Sequence, residues 1–413
     1  MLAVTRASSV CPRFRHLITG TFNTSFLHLL AYDTLNKALF VSRSIEAQGP
    51  HQFLAVGRTA QSDDRPDLLY ATTWASPPSL SAWRVTGLDD QAGSVTSPSY
   101  NVPPGPSRFL YSAGGPTGEV HSLDPSSGAL LSKEQELNFL PDPSPFALAQ
   151  ADKTRRALRY GAHNLDVARN GVAYVADLGR NAILAYKVDK KDGTLQLLSE
   201  TRSPRQGDGP RHVVPSPDGK LIFSVTEHTS YVDVFRVPSS SQAVAQNMGK
   251  LEYLQSLDLL PDRVQRADYR GDTVRLSPDG HSVIASTRGK TRATKGIIRA
   301  WRLSQSGQSD QPVVSEPLCT YETPTSGGKA NAVEFAMRYE SGFAASSDAE
   351  RESSSSRVKD LAVLTDDEQG WLWILEWNGQ DLKEVAKTKL PGKGKNDAGD
   401  DADEGASHAV WLS

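Results

Sequence analysis

Cysteine is scarce: Cys11 and Cys319 are the only two in 413 residues. Two thiols cannot form a disulfide framework and neither sits in a CxxC pair, so zinc and thiol-redox roles drop out and a reducing compartment is the default. No apolar run approaches the roughly eighteen residues of a membrane-spanning helix. A surplus of one charge is missing too. The formal net charge of −3 gives no global attraction to nucleic acid or anionic lipid, so an anion site must be a local cluster of Arg and Lys. GxSxG, HExxH, P-loop and Rossmann glycine patterns are all absent, which removes the commonest hydrolase, metalloprotease and nucleotide-binding readings. Residues 1–15 hold Arg6, Arg13 and Arg15 without an acid and without the apolar stretch of a secretory signal. They read as a disordered extension of a cytoplasmic chain, with a mitochondrial address as the lesser alternative.

What is present is turns. The 32 Gly and 25 Pro, beside 38% hydrophobic and 23% charged residues, favour short strands in a soluble globular chain. The segment His212-Val-Val-Pro-Ser-Pro-Asp-Gly219 with Lys220–Glu227 recurs 61 residues later as Thr273-Val-Arg-Leu-Ser-Pro-Asp-Gly280 with His281–Arg288. A third copy, Asn164–Asp177, has Asn170-Gly171 at the same place. Each copy reads as strand, tight turn, strand, because Asx-Gly supplies the positive φ that a hairpin loop needs. Further alternating segments follow, such as Ala182–Lys187, Tyr231–Arg236 and Ile297–Arg302. Four short strands per unit of this length make a propeller blade.

Inner strands are expected to start near residues 52, 108, 163, 211, 272, 330 and 408, which counts to seven blades. The isolated strand around Ala409–Leu412 should pair with Leu17–Thr21, completing a blade whose other strands lie at Leu27–Tyr32 and Ala38–Ser42. The reading is therefore all-β: one seven-bladed β-propeller over residues 16–413, closed by its N- and C-terminal strands. Residues 341–357 and 392–406 are too polar to fold alone and read as loops.

Position in the repeat also nominates a site. Aligned on the Asx-Gly turns, His163, Arg211 and Asp272 stand eight residues before the glycine, and Gly179, Glu227 and Arg288 eight after it. Asn331 and His408 continue the series at strand starts, and Asp366 follows Leu361–Leu364. Such residues converge on one mouth of a propeller channel, and a His, a Glu and two Arg there make an anion site. The Ser-Pro-Asp-Gly serines belong to turns, and Trp371–Trp377, alternating with period two, is a blade strand.

Gly161-Ala-His163, Gly207-Asp-Gly-Pro-Arg211, Thr323-Pro-Thr-Ser-Gly-Gly328 with Asn331-Ala-Val333, and Thr365-Asp-Asp-Glu-Gln-Gly-Trp371 together resemble the 3-carboxy-cis,cis-muconate lactonizing enzymes. These carboxymuconate cyclases belong to the seven-bladed lactonase superfamily. The resemblance runs from His16 to Trp411; residues 60–155 match poorly, and Lys329 stands where a small or histidine-like residue is expected. It implies His163, Glu227, Arg211 and Arg288 as the active-site set, to which repeat position adds Asn331, Asp366 and His408 as expected substrate contacts. It also implies a cofactor-independent and metal-free cycloisomerase of aromatic-compound catabolism, acting on a small tricarboxylate, with no nucleic-acid or membrane partner. Arg211 and Arg288 would clamp carboxylates, and either His163 or Glu227 would be the general acid. Two other readings compete: a lactone hydrolase resembling the 6-phosphogluconolactonases, and a propeller that only binds proteins.

Overall fold

The repeating turn organises the chain. Gly171, Gly219 and Gly280 adopt φ of 80°, 70° and 72°, conformations that side-chain-bearing residues avoid, and each joins two antiparallel strands. Ser216 and Ser277 lock two of these turns: each hydroxyl donates to the turn aspartate (2.6 Å to Asp218, 2.5 Å to Asp279) and accepts the amide of the residue five further on. These serines are consumed by structure.

The computed structural model describes residues 13–59, 62, 65–73, 79–86, 88, 94–96, 108–142, 144–151, 161–238, 249–304, 312–338, 359–395 and 398–413. They form seven blades around a channel. Blade 4 is Ala162–Val167, Val172–Asp177, Ala182–Val188 and Leu195–Arg202, in that order from the axis outward. Blades 5, 6 and 7 repeat the order, with inner strands Pro210–Pro215, Tyr269–Leu276 and Val333–Phe335. Blade 2 starts at His51–Gly57, and blade 3, at Phe109–Gly114, shows three strands among the described residues. Inner strands of neighbouring blades touch from blade 3 through blades 4 to 7 and on through blade 1 to blade 2.

Blade 1 draws its inner strand, Ala406–Trp411, from the C-terminus and the rest from Phe14–Thr21, Phe26–Asp33 and Ala38–Glu46. The pairs Leu17↔Trp411, Ile18↔Val410 and Thr19↔Ala409 close the ring. Strands buried on both faces send alternate residues to opposite neighbours. In Trp371–Trp377, Trp373, Leu375 and Trp377 pack toward blade 6, whereas Leu372 and Ile374 pack toward blade 1. Among the described residues an apolar cluster fills each junction between adjacent blades.

Two boundaries differ from the sequence reading, and a third lies outside the described residues. Arg13 is already described and Phe14 begins a strand, so the extension does not reach residue 15; residues 1–12 lie outside the described set. The loop at 341–357 lies wholly outside it. The stretch 392–406, expected to be a polar loop, contains a hairpin, Lys393–Lys395 against Asp401–Asp403, and its Glu404 is buried. Glu404 accepts the Gly392 amide (2.9 Å) and the Thr24 hydroxyl (2.5 Å) and pairs with His28 at 2.8 Å, which ties the hairpin to blade 1. Among the described residues no helix is long and apolar enough to cross a membrane.

Candidate active site

The inner strands share an irregularity that simple periodicity does not encode. In blade 4, Ala162 pairs with Asp177 and Asn164 with Ala176, leaving His163 as an extra residue. In blade 5, Pro210 pairs with Thr226 and His212 with Val225, so Arg211 is extra. Blade 6 has its extra residue in Asp272-Thr273, blade 2 at Gln52, and blade 1 in Ser407-His408. A β-bulge bends its strand and re-aims the side chain it carries. Repeated at the start of the inner strand in five blades, it gathers these residues at one end of the channel.

Arg211 is the hub and is buried. Its Nη2 lies 2.9 Å from Asp272 Oδ1, its Nη1 donates to the Asp272 carbonyl at 2.6 Å, and its Nε lies 3.3 Å from Glu227 Oε2. Glu227 Oε1 also meets Arg270 Nη1 at 2.8 Å and Arg288 Nη2 at 3.1 Å. Arg288 Nε approaches Asp272 Oδ1 at 3.6 Å, and its Nη1 donates to the Lys329 carbonyl. Three guanidinium groups therefore share two carboxylates, a formal charge of +3 − 2 = +1. An anion fits that imbalance.

Burial opposes ionisation of Glu227, but Arg288 and Arg211 outweigh it, with smaller help from His163 and the Arg270 hydrogen bond, and hold the carboxyl well below the usual range. His163 behaves oppositely. Burial first, then Arg211 and Arg288, pull it down to about 3 against the lifting effect of Glu227, so the imidazole is neutral in the unliganded site. The His163 ring packs at 5.3 Å from that of His212, and its Nδ1 is buried without a hydrogen-bond partner.

The structure thus brings His163, Arg211, Glu227 and Arg288 together. Asn331 and Asp366 hydrogen-bond to the frame. Asn331 Nδ2 donates to the Thr287 carbonyl (2.8 Å) and Thr323 Oγ1 (3.2 Å), while its backbone amide donates to Asp272 Oδ2 (2.9 Å). The Asp366 carboxylate accepts the amides of Glu368 and Gln369 within its own turn. His408 stacks on Phe53 at 4.4 Å, accepts the Leu54 amide at Nδ1, and faces Glu334 at 3.4 Å through Nε2. It belongs to a second polar group, in which Glu334 also pairs with Arg275 at 2.7 Å. Nearby Asp166 is raised to about 6, chiefly by burial. Gly179 does not match Glu227 and Arg288. Blade 4 has one residue fewer between turn and strand, so Leu178 takes that place, its amide on the Gly161 carbonyl as the Glu227 amide is on Gly209.

Sequence reasoning passed over His212, Arg270, Arg275 and Glu334. Asp272 stood at the right repeat position, and its carboxylate is the acid that balances Arg211. No signal in a single sequence marks the others. Among the described residues, no three of His, Cys, Asp and Glu are grouped so as to hold a metal ion.

Comparison with known proteins agrees with this architecture. The family described as Lactonase, 7-bladed beta-propeller, is matched over residues 61–321. Muconate cycloisomerase 1 of Cutaneotrichosporon cutaneum is 33% identical over 342 residues, covering 79% of this chain and 84% of that protein. Carboxy-cis,cis-muconate cyclase of Neurospora crassa is 25% identical over 229 residues, 54% of each chain. The solved periplasmic gluconolactonase of Pseudomonas aeruginosa superposes with a TM-score of 0.65 over 97% of this chain at 15% identity, a likeness of fold.

Proposed function

The chain belongs to the seven-bladed β-propeller lactonase family, and from that premise we propose that it interconverts 3-carboxy-cis,cis-muconate and its lactone without a cofactor. The observation that carries the proposal is the set of three guanidinium groups sharing two carboxylates beside a neutral imidazole. A polycarboxylate supplies the missing negative charge. Arg211 and Arg288 bind its carboxylates, since planar guanidinium groups match them in pairs and lose little order in doing so.

Lactone formation makes one C–O bond and adds one proton. A substrate carboxylate oxygen bonds to a diene carbon, the C=C electron pair shifts to the neighbouring carbon, and that carbon takes the proton. The substrate's negative charge falls from three to two as one proton is taken up, so the proton comes ultimately from solvent. Glu227, kept ionised by three cations, makes a poor donor, which leaves His163. Burial is the largest cause of that neutrality, and a bound polyanion offsets the field of Arg211 and Arg288 that adds to it, so substrate binding favours the imidazolium where it is needed.

One observation favours a second reading. A neutral imidazole in the unliganded site also suits a base that activates water, the requirement of a lactone hydrolase. Incubation with 3-carboxy-cis,cis-muconate separates the two. Loss of diene absorbance with formation of the lactone supports cyclisation, and an unchanged spectrum beside hydrolysis of a lactone panel refutes it.

A further inference from the structure

His212 follows Arg211 on the inner strand of blade 5 and is 5% exposed. Arginine can only donate, so the 3.2 Å contact from Arg211 Nη1 makes His212 Nε2 the acceptor and places the ring proton on Nδ1. That Nδ1 is buried and has no hydrogen-bond partner. Buried N–H groups are nearly always satisfied, and one left open inside an anion site awaits an acceptor from the ligand. The ring also keeps its tautomer. Burial, Arg211, His163, Arg275 and His408 all act against a positive charge on it, and no carboxylate is among the chief influences.

We propose that His212 is a ligand-binding residue that donates from Nδ1 to an oxygen of the bound anion while its Nε2 holds the Arg211 guanidinium in place. Its role differs from that of His163, which changes charge during turnover. The identity of the oxygen, a substrate carboxylate, rests on the function proposed above.

Two substitutions separate the two ring nitrogens. In His212→Asn the amide overlays the Nδ1 edge, and in His212→Gln it reaches the Nε2 position. The probe is propane-1,2,3-tricarboxylate, which carries the charges of the substrate class and no diene. With the full chain labelled at histidine with 15N, His212 should show an Nδ1–H tautomer that does not titrate between pH 5 and 8, and its proton should move downfield on addition of the probe. Binding should weaken about 10- to 100-fold in His212→Gln, the loss of one hydrogen bond to a charged group, and stay within about threefold in His212→Asn. An Nε2–H tautomer, binding by His212→Gln equal to wild type, or equal losses in both variants would overturn the proposal, and the wild-type spectrum decides should a variant fail to fold. Wild type that binds the probe with the His212 shift yet leaves 3-carboxymuconate untouched would refute the cyclase and keep the histidine. Failure of wild type to bind the probe would overturn both.

Discussion

Replacing Glu227 by Gln tests the electrostatics of the site at its tightest point. Glu227 is 6% exposed, and its carboxylate meets Arg270, Arg211 and Arg288 at 2.8–3.3 Å. Gln keeps the shape and one carbonyl oxygen, which still accepts from Arg270 and Arg288, but it removes a charge and raises the formal imbalance from +1 to +2. Deleting one partner of a buried ion pair costs about 3–5 kcal/mol, and the retained oxygen puts this case near the lower figure. At an effective dielectric of ~20, an additional unbalanced charge ~6 Å from a ligand carboxylate strengthens its binding by up to about 3 kcal/mol. His163 loses the carboxylate that lifts its pKa and becomes harder to protonate, so kcat should fall on the order of 10²–10⁴-fold. The expected signature is a less stable protein that binds a tricarboxylate more tightly and turns over more slowly. Thermal unfolding with and without propane-1,2,3-tricarboxylate, alongside steady-state kinetics, reads all three effects. A variant as stable as wild type that binds the probe more weakly would refute the counter-ion role of Glu227.

Other perturbations have distinct outcomes. Arg288→Ala should raise KM by the equivalent of about 2–5 kcal/mol, with only partial recovery in Arg288→Lys because a point charge cannot span two carboxylate oxygens; full recovery by Lys, measured in steady-state kinetics, would show that charge alone suffices. Trp411 is buried between blades 7 and 1 and its Nε1 donates to the Glu334 carbonyl at 3.0 Å, so Trp411→Ala should cost about 3–5 kcal/mol of stability in denaturant unfolding. An undisturbed transition would mean that the closing strand contributes little.

The propeller was legible because its determinants are local. Asn170-Gly171, Asp218-Gly219 and Asp279-Gly280 impose the hairpins directly, and alternation in Trp371–Trp377 reports burial on both faces of a strand. The convergence of His163, Arg211, Glu227 and Arg288 was readable from repeat position alone. Partner choice was not. Whether a carboxamide or carboxylate turns toward the channel or into its own turn depends on neighbouring blades, so the hydrogen bonds that Asn331 and Asp366 make to the frame could not be read from repeat position. Counting from the turn also failed by one residue at Gly179, where a shorter hairpin shifts the register. The bulges that present His163 and Arg211 leave no compositional mark, and so the donor on His212, one residue further along, went unseen.

The pH dependence of kcat/KM for loss of diene absorbance tests the central claim, lactone formation by proton delivery from His163, most directly. The unliganded imidazole is held down to about 3, so above that value the protonated fraction falls about tenfold per pH unit. Between pH 5.5 and 8, with the substrate carboxyls ionised, log kcat/KM should fall with a slope of about −1 in wild type. Chemistry in which neutral His163 serves as the base gives a flat profile over the same range. A flat profile, or a diene that survives incubation, would contradict the account.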